Sequence, residues 1–225
     1  MDRLSLRNRV RRQSLITTEE LTDAEINQDL EQGILDTATL YAWPWMRTVG
    51  TIVLADGTAE YNLPADLMYL QNLIHDGVGA SSLVRTTLEA VKATYGDSVG
   101  DSDLPHLWYQ SSDTTIVFVP TPDAVKTVNV HYYAVPDIAN DFNDDTSVPP
   151  WHPAFHRLLV DFALAQIWES EDQEQRSQYY WEKYGQQVER MAAFYSQALP
   201  PSPLVVGQGL NRRSLRRPFA AWPEV

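Results

Sequence analysis

A chain of 225 residues, 44% hydrophobic and 11% aromatic, is long enough for one generous domain and apolar enough to build a core, which excludes a disordered polymer. It contains no cysteine, which rules out disulfide frameworks, thiolate metal sites and cysteine nucleophiles. The net charge of −13 conceals a segregation: Arg3, Arg7, Arg9, Arg11 and Arg12 crowd the start, Arg212, Arg213, Arg216 and Arg217 crowd the end, and residues 14–211 hold 8 basic against 28 acidic side chains, a net −20.

Residues 3–13 are expected to form a short basic helix or to order only on binding. Their arginines precede no apolar stretch, so a secretory signal is not expected, and no apolar run nears the roughly 20 residues that cross a bilayer. Thr22-Asp-Ala-Glu25 has the form of a capping box, and Ile26, Leu30, Ile34 and Leu35 then recur at helical spacing, predicting a helix over about 22–42 that ends before Trp43-Pro44. Thr51–Ala55 reads as a strand, Asp56-Gly57 as a hairpin turn, and Thr58–Leu63 as the returning strand. Met68–Ile74 predicts another strand, 86–95 a short helix closed by Gly96, and 96–105 an exposed loop. Strands are expected over 106–110, 114–119 and 126–135; in the last, Val128, Val130, Tyr132 and Ala134 alternate with Asn129, His131 and Tyr133.

Beyond an acidic loop over 136–150, Pro153 suits a first helical turn, and a mostly apolar, central helix is predicted over about 153–172. A second helix over about 175–198 carries Tyr180, Tyr184, Val188, Met191 and Tyr195 on one stripe. Pro200, Pro201 and Pro203 then open a spacer leading to the tail RRSLRRPFAAWPEV. The expected fold class is α+β: a bundle of one N-terminal and two C-terminal helices, with an antiparallel β domain inserted over about 48–136. The expected parts are a basic extension (1–17), the domain (18–198), and a spacer with a basic, aromatic arm (199–225). Trp43, Trp45, Leu63, Phe155, Leu159 and Phe162 are the expected core anchors.

Catalytic and metal chemistry find little support. Asp141-Phe-Asn143-Asp-Asp145 imitates the opening of a calcium loop, but Thr146 occupies the glycine position and His152 the bidentate glutamate position. His152 and His156 share a helical spacing without a third ligand nearby. Asp161 in an apolar helix reads as a helix-to-strand hydrogen-bonding tie. No G-x-S-x-G elbow or glycine-rich phosphate loop occurs, so no enzyme, cofactor or metal is expected. An acidic body repels phosphate backbones, and the basic ends could bind either nucleic acid or an acidic protein surface.

Taken in order, Trp43-Pro-Trp45, Tyr61-Asn-Leu-Pro-Ala-Asp66, Pro120-Thr-Pro-Asp123, Val130-His-Tyr-Tyr133, Val148-Pro149 and the helix from His152 to Ala163 make residues 18–198 resemble the head-to-tail adaptor (connector) proteins of tailed bacteriophages. The resemblance implies a helical bundle bearing a β domain and twelve copies ringing the DNA channel beneath the portal. It also implies a C-terminal segment that grips the portal, and no enzymatic activity. It leaves the basic residues 1–13 unexplained. The expected partners are the portal protein, neighbouring subunits of a homo-dodecameric ring, a downstream tail or stopper protein, and double-stranded DNA passing without specific binding. The expected location is the neck of the virion, after synthesis in host cytoplasm. The portal anchor is expected at Arg212, Arg213, Leu215, Arg216, Arg217, Phe219 and Trp222. Another neck, tail-tube or stopper protein is the alternative, followed by a nucleic-acid-binding module using the basic ends.

Overall fold

The computed structural model describes residues 1–16, 21–76, 81–96 and 103–198. Helix α1 (Arg3–Ser14) starts at Asp2, whose carboxylate accepts the Ser5 amide at 2.8 Å, and closes on Leu15 in the left-handed region. Helix α2 (Asp23–Leu40) opens on the anticipated capping box: Thr22 Oγ1 accepts the Glu25 amide at 3.3 Å, and Glu25 accepts the Thr22 amide at 2.7 Å. The Trp43 indole donates to the Thr37 carbonyl at 2.6 Å, satisfying one of the acceptors that a helix end leaves over.

The β block is a two-sheet sandwich. Strands β1 (Arg47–Leu54), β7 (Lys126–Ala134) and β3 (Leu67–His75) form one sheet, in the order β1-β7-β3. Strands β2 (Glu60–Asn62), β6 (Thr115–Val119), β5 (Leu107–Gln110) and β4 (Val84–Arg85) form the other, in that order. Ile52, Leu54, Leu73, Val128 and Val130 of the first sheet bury against Trp108, Ile116 and Phe118 of the second, with Leu63 and Leu83 completing the core. The alternation expected in β7 holds from Val128 to Tyr132, with Val128, Val130 and Tyr132 buried and Asn129, His131 and Tyr133 only partly so; it lapses at Ala134, which is itself only partly buried. Pairing is antiparallel except for β4 with β5, which run parallel and are joined through helix α3 (Leu88–Tyr95).

One local expectation is corrected. The Asp56-Gly57 turn forms, with Gly57 at φ 73°, but the strands on either side do not pair. β1 pairs with β7 and β2 with β6, so the turn carries the chain from one sheet to the other. Turn residues fix a reversal, whereas the partner is chosen by which buried faces match; Ile52 sits opposite Val128 in the core-facing register.

After a short helix α4 (Ile138–Asp141) and a 3-10 turn (Pro153–Phe155), the chain returns to the helical layer as α5 (Arg157–Ser170) and α6 (Glu174–Ala198). Every residue from Leu158 to Ala165 is buried, because α5 is packed by α1, α2 and α6 together. Helices that precede and follow the β block therefore share one core, with the β block as an insertion. Tyr184, Val188 and Met191 are the buried stripe of α6, flanked by partly buried Tyr180 and Tyr195. Among the expected anchors, Trp43, Leu159 and Phe162 lie deep in the helical core and Leu63 in the sandwich, while Trp45 and Phe155 sit half-buried at the bundle's edge.

Candidate interaction surfaces

Helix α1 is bound into the bundle through its arginines. Leu6 and Val10 on one face are fully buried, which places Arg3, Arg7 and Arg11 against carboxylates. Arg3 pairs with Glu31 of α2, donates to the Phe142 carbonyl at 2.8 Å and stacks over the Phe142 ring at 5.3 Å. Arg7 makes a two-pronged contact with Asp145, at 2.9 and 3.1 Å, and reaches Asp23 at 3.5 Å. Arg11 pairs with Asp23 and donates to the Leu21 carbonyl at 2.9 Å. Backbone bonds from Arg3 to Ser147 (2.8 Å) and from Leu4 to Asp145 (3.1 Å) fasten the helix to the acidic loop. Three of the five N-terminal arginines thus neutralise the protein's own carboxylates; among the described residues only Arg9 and Arg12 lack one.

The residues weighed for catalysis have local work. Asp144 shapes a turn, accepting the Thr146 and Ser147 amides at 2.7 and 2.9 Å, and Asp145 holds Arg7. His152 Nδ1 accepts the Ala154 amide at 3.3 Å at the start of the 3-10 turn. His156 is fully buried, with Nε2 3.0 Å from the Trp151 carbonyl and Nδ1 2.6 Å from the Met1 nitrogen, and burial holds its pKa below the ordinary imidazole value. Asp161 is buried, and desolvation raises its pKa. Its carboxylate accepts from Gln187 of α6 and lies 3.8 Å from Arg157 Nε, so the tie runs from helix to helix rather than from helix to strand.

Several of the sequence motifs behind the resemblance make contacts across the chain. Asp66 accepts the Tyr132 hydroxyl at 2.9 and 3.1 Å, which joins Tyr61-Asn-Leu-Pro-Ala-Asp66 to Val130-His-Tyr-Tyr133. Burial, followed by the Asp66 hydrogen bond, pushes the Tyr132 phenol up to about 12. Tyr61 bonds the Ala55 backbone at 2.7 Å, holding the crossing turn, and Trp45 packs on Trp151 with ring centres 5.5 Å apart, joining W-P-W to the segment before α5. These contacts tie loops and turns to the strands and helices beside them.

A comparison with family models matches residues 1–207 to the SU10 adaptor protein family. The chain belongs to that family. The adaptor is therefore a structural protein of the phage neck, as the resemblance implied. No curated protein matches it. The family match begins at residue 1, so α1, which the resemblance left unexplained, falls within the family's span. It stops at 207, short of the arm. Arg212, Arg213, Leu215, Arg216, Arg217, Phe219 and Trp222 lie outside the described residues.

Two features of the adaptor escaped sequence reasoning. Arg157, Lys183 and Arg190 converge on one cleft between α5 and α6, a grouping signalled only by the seven-residue spacing of the last two. The second is Asp29, half-buried on α2, which is pushed up to about 6 by desolvation and then by the neighbouring Glu25 charge. A carboxylate with a raised pKa in the folded state costs nothing while protonated, at pH below about 4, and destabilises increasingly until pH passes about 6. Asp29→Asn is accordingly expected to stabilise the adaptor by about 1–2 kcal/mol at pH 8, after allowance for solvent screening, and to do little at pH 4. Thermal unfolding at both pH values checks it; an equal shift at each would contradict the assignment.

Proposed function

We propose that this adaptor forms a twelve-membered ring directly beneath the portal, that its acidic body lines the passage for DNA, and that residues 212–225 dock onto the portal. Membership of the adaptor family carries this proposal. The charge distribution supports it: a body of net −20 repels a duplex moving through the channel and keeps it from adhering to the wall. With three N-terminal arginines engaged by the domain itself, the C-terminal arginines are the stronger candidates for a partner. In the arm, the arginines steer association with an acidic surface, and Leu215, Phe219 and Trp222 supply apolar anchors. A downstream tail or stopper protein completes the neck on the opposite side of the ring.

The experiment is a portal-binding measurement on the full chain and on a chain ending at Asn211. Removing the two aromatic anchors and four arginines is expected to weaken binding about a hundredfold or more. Equal affinity of the two chains would overturn the docking role of the arm.

A further inference from the structure

The body of the adaptor has only 8 basic side chains between residues 14 and 211, and three of them line one cleft. Arg157 stands at the start of α5, and Lys183 and Arg190 on α6; Phe155 and Gln187 complete a cleft of about 400 Å³. Asp161 beneath it accepts from Gln187 and lies 3.8 Å from Arg157, which fixes two of the lining side chains. Lys183 leans over Tyr179 at 4.2 Å, and among the described residues neither Lys183 nor Arg190 pairs with a carboxylate.

The same helical hairpin carries the opposite charge at its turn. Glu169, Glu171, Asp172 and Glu174 are exposed within six residues where α5 passes to α6. In the acidic loop before α5, by contrast, Asp145 holds Arg7, Asp144 shapes its turn and Asp137 caps α4. Glu171, Asp172 and Glu174 hold no cation among the described residues. At 1.5 Å per residue, Lys183 and Arg190 lie about 13–24 Å along α6 from Glu174. One copy therefore has no means of bringing its own turn into its own cleft.

We propose that the cleft of Arg157, Lys183 and Arg190 receives the acidic α5–α6 turn of a second copy of this chain, and so forms the contact between neighbouring subunits. This rests on the ring-forming function proposed above. Charge complementarity selects the occupant. The C-terminal arm is as basic as the cleft and is repelled by it, whereas the turn brings carboxylates to unpaired cations. Because cleft and turn are different patches of the same molecule, the contact is head-to-tail, the kind that closes into a ring when the rotation per subunit divides the circle.

The test is charge reversal in the full-length protein. Assembly is measured by sedimentation of the protein alone and by imaging of the protein bound to its portal. Lys183→Glu with Arg190→Glu is expected to weaken self-assembly at least about tenfold, Glu171→Lys with Glu174→Lys likewise, and the four together on one chain to restore it. Lys183→Gln with Arg190→Gln, a milder change, is expected to weaken assembly without charge repulsion, and circular dichroism verifies that each variant is folded. Unimpaired assembly of the reversed cleft overturns the proposal, as does failure of the four-fold variant to recover. Loss of duplex-DNA binding with assembly intact makes the cleft a phosphate site and also overturns it. A wild-type chain that forms no ring, alone or on the portal, defeats the ring-forming function itself, an outcome distinct from rings that ignore the cleft.

Discussion

Arg7→Ala is expected to lower the stability of the adaptor by about 2–3 kcal/mol, which for a chain of this size is a fall of roughly 5–10 °C in Tm. The Arg7 side chain is 11% exposed and serves Asp145 and Asp23 at once; its removal leaves Asp145 without its cation, while Asp23 keeps its pair with Arg11. Because Asp145 and Asp23 keep 53% and 57% of their side-chain exposure, water recovers part of the loss, and the effect stays below that of a fully buried pair. Arg12, exposed and without a carboxylate among the described residues, is the control, and Arg12→Ala is expected to change stability by less than about 0.5 kcal/mol. Hydrogen exchange of the α1 amides reads the same event locally, with α1 protection falling first in the Arg7 variant. Equal Tm for both variants would mean that the Arg7 ion pairs add nothing to the hold on α1.

Phe162→Ala is expected to be costlier, about 3–5 kcal/mol, because it opens a cavity where three helices meet. The ring is 2% exposed and packs edge-on against Trp181 and Tyr184, each with centres 5.3 Å away. On its other side stands Gly33 of α2, where an added β-carbon would come within 2.9 Å of Phe162 Cδ1 and 3.0 Å of Leu159 Cδ2. Glycine in mid-helix costs about 1 kcal/mol relative to alanine, and here it permits the close approach of α2 to α5. Gly33→Ala alone is therefore expected to destabilise, the collision outweighing the gain in helix propensity. In the Phe162→Ala background the same change is expected to be neutral or stabilising. Urea unfolding of the four combinations measures the coupling, expected at about 1 kcal/mol or more; additive effects would show that Gly33 and Phe162 do not touch.

What the sequence made legible follows the range of the forces involved. The capping box at Thr22, the alternation in β7 and the apolar run of α5 are local patterns with a fixed period, and each became the element it predicted. The Asp56-Gly57 hairpin failed because a two-residue turn does not specify its strand partner, and β1 found its own in β7, more than 70 residues on. The role of the N-terminal arginines was hidden for the same reason: Arg7 meets Asp145, and Arg3 meets the Phe142 carbonyl, across most of the chain. A count of charges separated acidic body from basic ends, but only folding shows that α1 spends its cations on its own domain. The Arg157, Lys183 and Arg190 cleft was missed because its members come from two helices, and a cation on a helix face ordinarily serves solvation alone. The adaptor resemblance, by contrast, rested on motifs that turn out to be joints, such as Asp66 with Tyr132, where loops and strands must meet in one way.

Electron cryo-microscopy of the portal assembled with the full-length adaptor, beside the same assembly with residues 212–225 removed, tests the central claim most directly. The full chain is expected to give a twelvefold ring seated on the portal with its acidic body around the channel, and the shortened chain to leave the portal bare. A shortened chain that seats as well as the full one, or an adaptor that binds without encircling the channel, would contradict it.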